Sequence, residues 1–85
     1  KMSDLSEVIE LLGTLREDSS ISRSVREAIA EIHENFKDSA GDVGVKVDSA
    51  LGRLEDLSID PNLSADVRTK IWDLTSKLEG AANGN

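Results

Sequence analysis

The strongest constraint on this 85-residue chain is that its two halves follow one pattern. Val67-Arg68 stands 42 residues beyond Val25-Arg26. The same offset pairs Leu5 with Val47, Ile9 with Leu51, Leu12 with Leu54, Leu15 with Leu57, and Asp18 with Asp60. It also pairs Ile21 with Leu63, Ser22 with Ser64, Ile29 with Ile71, Ile32 with Leu74, and Phe36 with Leu78. Each half thus reads Asp-x-x-(Ile/Leu)-Ser-x-x-Val-Arg-x-x-Ile-x-x-(Ile/Leu). Matched apolar positions alone could be two generic helix pairs. Polar positions matched in the same register make coincidence a poor explanation.

Within each half the apolar residues recur at helical spacing, and none of the stretches alternates with the period of a strand. Leu5, Val8, Ile9, Leu12 and Leu15 give one face of a first helix. Val25, Ile29, Ile32 and Phe36 give the face of a second. Val43, Val47, Ala50, Leu51, Leu54 and Leu57 give the third, and Val67, Ile71, Leu74 and Leu78 the fourth. Asp18-Ser19-Ser20 breaks the first pair and Asp60-Pro61-Asn62 the second, since proline does not continue a helix interior. Gly41 and Gly44 mark the central joint. Ser22 and Ser64 are expected N-caps, their hydroxyls satisfying an early helical N–H. Asp66 suits the positive end of the fourth helix. Gly13 and Gly52 fall inside helices, where each costs up to ~1 kcal/mol relative to alanine. Close helix approach or simple tolerance accounts for them; nothing else supports a hinge.

A two-helix repeat of this length lies in the range of HEAT and armadillo units. The Asp-turn followed by Val-Arg resembles the HEAT repeat. That resemblance implies that Asp18, Arg26, Asp60 and Arg68 are structural, making polar contacts between adjacent repeats. Two repeats fall short of the three or more that a free solenoid needs. The expected architecture is therefore all-α: a compact four-helix bundle made from two HEAT-like helical hairpins. It forms one domain over residues 1–79, with repeat 1 at about 4–38 and repeat 2 at about 42–79. Residues 80–85 are expected to be a flexible C-terminal tail.

The sequence is also similar to a small archaeal family over most of its length, from about Leu5 to Glu79. Asp60-Pro61-Asn62-Leu63, then Val67-Arg68-Thr69 with Ile71-Trp72, ending Ser76-Lys77-Leu78-Glu79, resembles Uncharacterised Protein Family 0147. Ser22 and Ser64 stand where that pattern suggests a proline after the apolar turn residue; serine can open a helix there as well. The resemblance implies a helical bundle and an archaeal, cytoplasmic setting. It implies no activity.

Composition narrows the function classes. The net charge is −7, from 17 acidic against 10 basic residues. Phosphate backbones and anionic membrane surfaces are bound largely through Lys and Arg, and here these are scattered. A membrane partner is not expected, and nucleic acid is disfavoured. Arg16, Arg23, Arg26 and Lys37 could still approach one another around the second helix. That keeps a nucleic-acid- or ribonucleoprotein-associated role as the alternative. No apolar run approaches the ~20 residues of a membrane span, and the N-terminal residues lack a signal peptide's apolar stretch. There is no cysteine, which excludes disulfides and thiolate metal sites.

Catalytic chemistry finds no purchase. His33 is the only histidine, so the paired Glu-x-x-His motifs of di-iron bundles are missing. It is expected on the flank of the second helix, partly exposed and inert. Glu7, Glu10, Glu17, Asp18, Glu27, Glu31 and Glu34 read as a solvated acidic face. The serines cluster at turns and helix starts, where capping explains them. Gly41-Asp42-Val43-Gly44 lacks the strand and lysine of a phosphate loop. The chain reads as a non-enzyme with no cofactor and no metal.

Trp72 stands where the first repeat has Ala30, so the repeat does not require it. The indole either fills space at the edge of the core or anchors an interface with its neighbour Arg68, since Trp and Arg are enriched at binding hot spots. Exposure discriminates the two. Leu11 and Val45 lie off their helices' main apolar faces and join Trp72 and Arg68 as candidate interface residues. The expected function is that of a protein–protein interaction or adaptor module, with an unidentified protein partner or self-association.

Overall fold

A computed structural model describes residues 4–38 and 40–82. Four helices follow one another: α1 (Asp4–Leu15), α2 (Arg23–Lys37), α3 (Val43–Ser58) and α4 (Ala65–Ala82). There is no strand among the described residues. Each helix packs on two others, α1 on α2 and α4, and α3 on α2 and α4. The diagonal pairs do not pack together, so the four stand at the corners of a square.

The core follows the helical periodicity. Val8, Leu12 and Leu15 come from α1, and Val25, Ala28, Ile29, Ile32 and Phe36 from α2. Val47, Ala50 and Leu54 come from α3, and Val67, Ile71, Leu74 and Leu78 from α4. Ile21 closes the end of the core from the first turn. Leu5, Ile9, Leu51, Leu57 and Leu63 are half-buried around its rim. Val43 departs from expectation and is half-exposed. It is the first residue of α3, and the residues on either side of it, Asp42 and Gly44, are exposed as well.

The two intrahairpin turns carry the same hydrogen bonds. Asp18 Oδ1 accepts from the Ser20 amide at 2.9 Å, and Asp60 Oδ1 accepts from the Asn62 amide at 2.9 Å. The Ile21 amide donates to the Asp18 carbonyl at 3.1 Å, and Leu63 to Asp60 at 3.1 Å. The Arg26 amide donates to the Ser22 carbonyl at 2.9 Å, and Arg68 to Ser64 at 2.9 Å. Ser64 caps α4 as expected, its Oγ accepting from the Val67 amide at 3.2 Å. Ser22 occupies the corresponding position before α2, but its hydroxyl makes no capping bond.

The central joint is held differently. Asp42 caps α3 by accepting from the Gly44 amide at 3.1 Å. Lys46 is buried and donates its ammonium to the Asp38 carbonyl just past α2. Its positive charge thus lies at the negative end of the α2 dipole. Gly41 has φ 93°, a conformation that L side chains rarely adopt, and permits the reversal beside the lysine stem.

The last helix runs into the segment 80–85 expected as a tail. α4 continues through Ala82, because one glycine is tolerated in a helix and Ala81-Ala82 favour it. Residues 83–85 lie outside the described residues, as do Lys1, Met2, Ser3 and Ser39.

Leu54 has no exposed surface, whereas Leu51 on the same helix is half-buried. Leu54→Ala is expected to lower unfolding free energy by about 2–5 kcal/mol, and Leu51→Ala by less than half as much. Urea titrations followed by circular dichroism measure both. Equal losses would show that the core is not centred where the burial places it.

Candidate interaction face

On α4 the core positions are Val67, Ile71, Leu74 and Leu78. One residue past Ile71 is a rotation of about 100°, which carries Trp72 out of the core stripe. Trp72 is 59% exposed. The core-filling reading of its indole is therefore overturned. A tryptophan normally buries much of its large apolar surface, so this one stands out.

Arg68, one turn earlier, does something else. Its guanidinium donates to the Ser58 carbonyl at the end of α3 and to the carbonyls of Asp60 and Leu63, the last two at 3.3 Å. It clamps the turn of its own hairpin and fixes how α3 and α4 sit against each other. Its counterpart Arg26 differs: the Nε is buried and has no hydrogen-bond partner. Leu11 is half-buried against the core from α1. Val45 is 64% exposed in the first turn of α3. Since α1 and α3 do not pack together, Leu11 and Val45 belong to different faces. With Arg68 against Ser58, antiparallel helices at 1.5 Å per residue put Val45 roughly 14 Å along the bundle from Trp72. Sequence reasoning missed Ile59, which is 77% exposed just past α3 and next in the chain to Ser58, whose carbonyl Arg68 holds. Its repeat counterpart is the polar Glu17, which gave no apolar signal at that position.

Of the two turn aspartates, Asp18 makes the polar contact between halves. Its Oδ2 accepts from Lys70 of α4 at 3.0 Å, while Ser20 donates from both its hydroxyl, at 2.6 Å, and its amide. These donors, Ser20 first and Lys70 after, hold the Asp18 carboxyl down at about 2. Lys70 is raised above the ordinary lysine range by Asp18 and by Asp66, whose Oδ2 lies 3.3 Å away. Asp60 has no such cation, because Ala28 stands at the position corresponding to Lys70.

His33 sits half-buried between α1 and α2, its ring against Gly13, where a Cβ would stand 3.3 Å from the imidazole. Gly13 is thus a close-approach glycine, whereas a Cβ at Gly52 would meet nothing. Arg16 Nη1 donates to His33 Nδ1 at 2.9 Å and to Glu34 at 2.5 Å. Burial, with Arg16 and Lys37 nearby, pushes the imidazole below its ordinary range. Arg16 in turn holds the Glu34 carboxyl low. Among the described residues no group of three or more His, Asp or Glu side chains converges as a metal site would require. No helix there is long and apolar enough to cross a membrane.

Grooves indent the surface. One of about 290 Å³ runs between α2 and α3, walled by Glu31, Asn35, Ser49 and Arg53 over a floor of Ile32 and Ala50. A smaller one of about 140 Å³ lies between the two intrahairpin turns, lined by Ser20, Ser22, Asn62, Leu63, Ser64 and Val67.

Because the Asp18 carboxyl titrates lower in the folded chain than its ordinary 3.8, its contribution to stability is present above about 4. It is lost as pH falls toward about 2. Asp18→Asn should flatten this limb, so that thermal unfolding from pH 5 down to 2 declines less steeply than in the wild type. Superimposable declines would count against the Ser20 and Lys70 contacts.

The chain resembles archaeal proteins along most of its length. A protein of Archaeoglobus fulgidus is 44% identical over 75 residues, covering 88% of this chain and 85% of its own. One from Methanosarcina mazei is 37% identical over 81 residues, covering 91% of this chain and 87% of its own. The fold is shared with the crystal structure of a Thermoplasma acidophilum protein from the same family. The TM-score is 0.87 at 26% identity, over 92% of each chain. It is shared also with the protein of unknown function MMP1188, with a TM-score of 0.81 at 29% identity over 93% of each chain. The profile of the uncharacterised protein family UPF0147 matches residues 1–81, and the chain belongs to that family.

Proposed function

We propose that this chain is a non-enzymatic protein–protein interaction module working in the cytoplasm, and that Trp72 is the centre of its contact face. The observation that carries this reading is the exposure of the only tryptophan on a helix whose core is already complete. Exposed aromatic anchors are where binding energy concentrates in protein interfaces. The paired turns support a duplicated, HEAT-like helical hairpin as the origin of the scaffold, and repeats of that kind bind through their surfaces. That second step is analogy from fold to function.

The cations named for a nucleic-acid role favour the protein reading. Arg16 and Lys37 are both engaged with Glu34, and Arg23 with Glu27. Arg26, the fourth of them, has no ion pair among the described residues and its Nε is buried, so this pairing lowers the positive charge the group offers to phosphates without cancelling it.

Affinity capture from native-host lysate tests the proposal, with Trp72→Ala as a parallel bait after circular dichroism shows both baits folded. A specific protein retained by the wild type and reduced about tenfold or more with Trp72→Ala is the expected outcome. Equal recovery by both baits would remove Trp72 from the contact.

A further inference from the structure

Three of the four seams between neighbouring helices are stitched by an ion pair. Arg16, just past α1, meets Glu34 of α2 at 2.5 Å. Arg53 of α3 meets Glu31 of α2 at 2.8 Å. Lys77 of α4 lies 4.0 Å from Glu7 of α1. The α3–α4 seam has none, although carboxylates line it. Asp48, Glu55 and Glu79 are exposed, and no cation pairs with any of them among the described residues.

The helical register explains the imbalance. Asp48, Leu51, Glu55 and Ser58 share one side of α3, and Arg68, Trp72, Thr75 and Glu79 share one side of α4, by three- and four-residue spacing. The Arg68 contact with Ser58 brings these two stripes together. Antiparallel stepping from that contact sets Trp72 level with Leu54, one residue from Glu55, and Glu79 level with Val47, one residue from Asp48. The cations of both helices are committed elsewhere. Lys46 lies at the end of α2, Arg53 on α2, Lys70 and Lys77 toward α1, and Arg68 on turn carbonyls. What remains is an exposed indole and the apolar Ile59, rimmed by unneutralised carboxylates.

We propose that this seam is a docking face for a basic segment of a partner protein, one that presents arginine or lysine side chains. The inference rests on the interaction-module reading and gives its partner a chemistry. A guanidinium can stack on the face of Trp72 while hydrogen-bonding to a flanking carboxylate. The carboxylates that attract such a segment repel phosphate. They also repel a second copy of this chain, which has a net charge of −7 and would set like charges against each other across a symmetric contact.

Trp72 is the only tryptophan and there is no tyrosine, so intrinsic fluorescence reports this face alone. The full chain is titrated with hexa-arginine amide at low salt, with hexaglutamate as the control. Hexa-arginine should change the emission saturably and hexaglutamate should not. The double substitution Glu55→Gln with Glu79→Gln should weaken binding about fivefold or more. The equal-charge substitution Glu10→Gln with Glu17→Gln, away from the seam, should weaken it less than about twofold. Absence of a saturable change, or equal weakening by both pairs, overturns the proposal, since equal weakening means attraction to net charge. The parent reading fails separately: a lysate partner that needs Trp72 but still binds the Glu55 and Glu79 variant leaves the module standing and removes its basic specificity.

Discussion

Neither helical hairpin can cover its own apolar stripe, and the whole structure depends on each covering the other's. Val8 and Leu12 of α1 and Ile29 and Ile32 of α2 are buried only because α3 and α4 bring Leu54, Ile71, Leu74 and Leu78 against them. The two hairpins close face to face and every helix becomes a corner. The outer faces are then left with no structural task.

Closure uses the two halves unequally. Corresponding backbone bonds hold both turns, yet only Asp18 receives a lysine from across the bundle, because Lys70 has Ala28 as its counterpart. The α2–α3 groove has a similar cause. Ala50 stands at the position of Val8, and Ser49 and Arg53 at those of Glu7 and Leu11, so less side-chain volume fills that seam than fills α1–α4. The bundle thus has a tight α1–α4 side and an open α2–α3 side.

The helices and nearly all of the core were legible in the sequence because a long stripe of Leu, Ile and Val at helical spacing has few other ways to be buried. Polar detail was less so. Burial of Lys46 could not be read from a residue type that is rarely buried; it depends on where the α2 carbonyl falls after the Gly41 turn. Ser22 and Ser64 hold the same place before their helices, yet only the Ser64 hydroxyl caps, which residue type alone does not decide. Trp72 was identified as unusual, but its exposure turned on a single 100° step past Ile71. The pairing of Asp48, Glu55 and Glu79 into one seam needed the register that Arg68 sets from a different helix.

The account divides α4 into an inner face that makes the fold and an outer face left free for a partner. The equilibrium stability of Trp72→Ala, measured by urea denaturation with circular dichroism at 222 nm as the probe, tests that division most directly. The account predicts an unfolding free energy within about 0.5 kcal/mol of the wild type, the range of a surface substitution away from structural features. A loss of about 2 kcal/mol or more would place the indole among the groups that hold the bundle together, and would contradict the account.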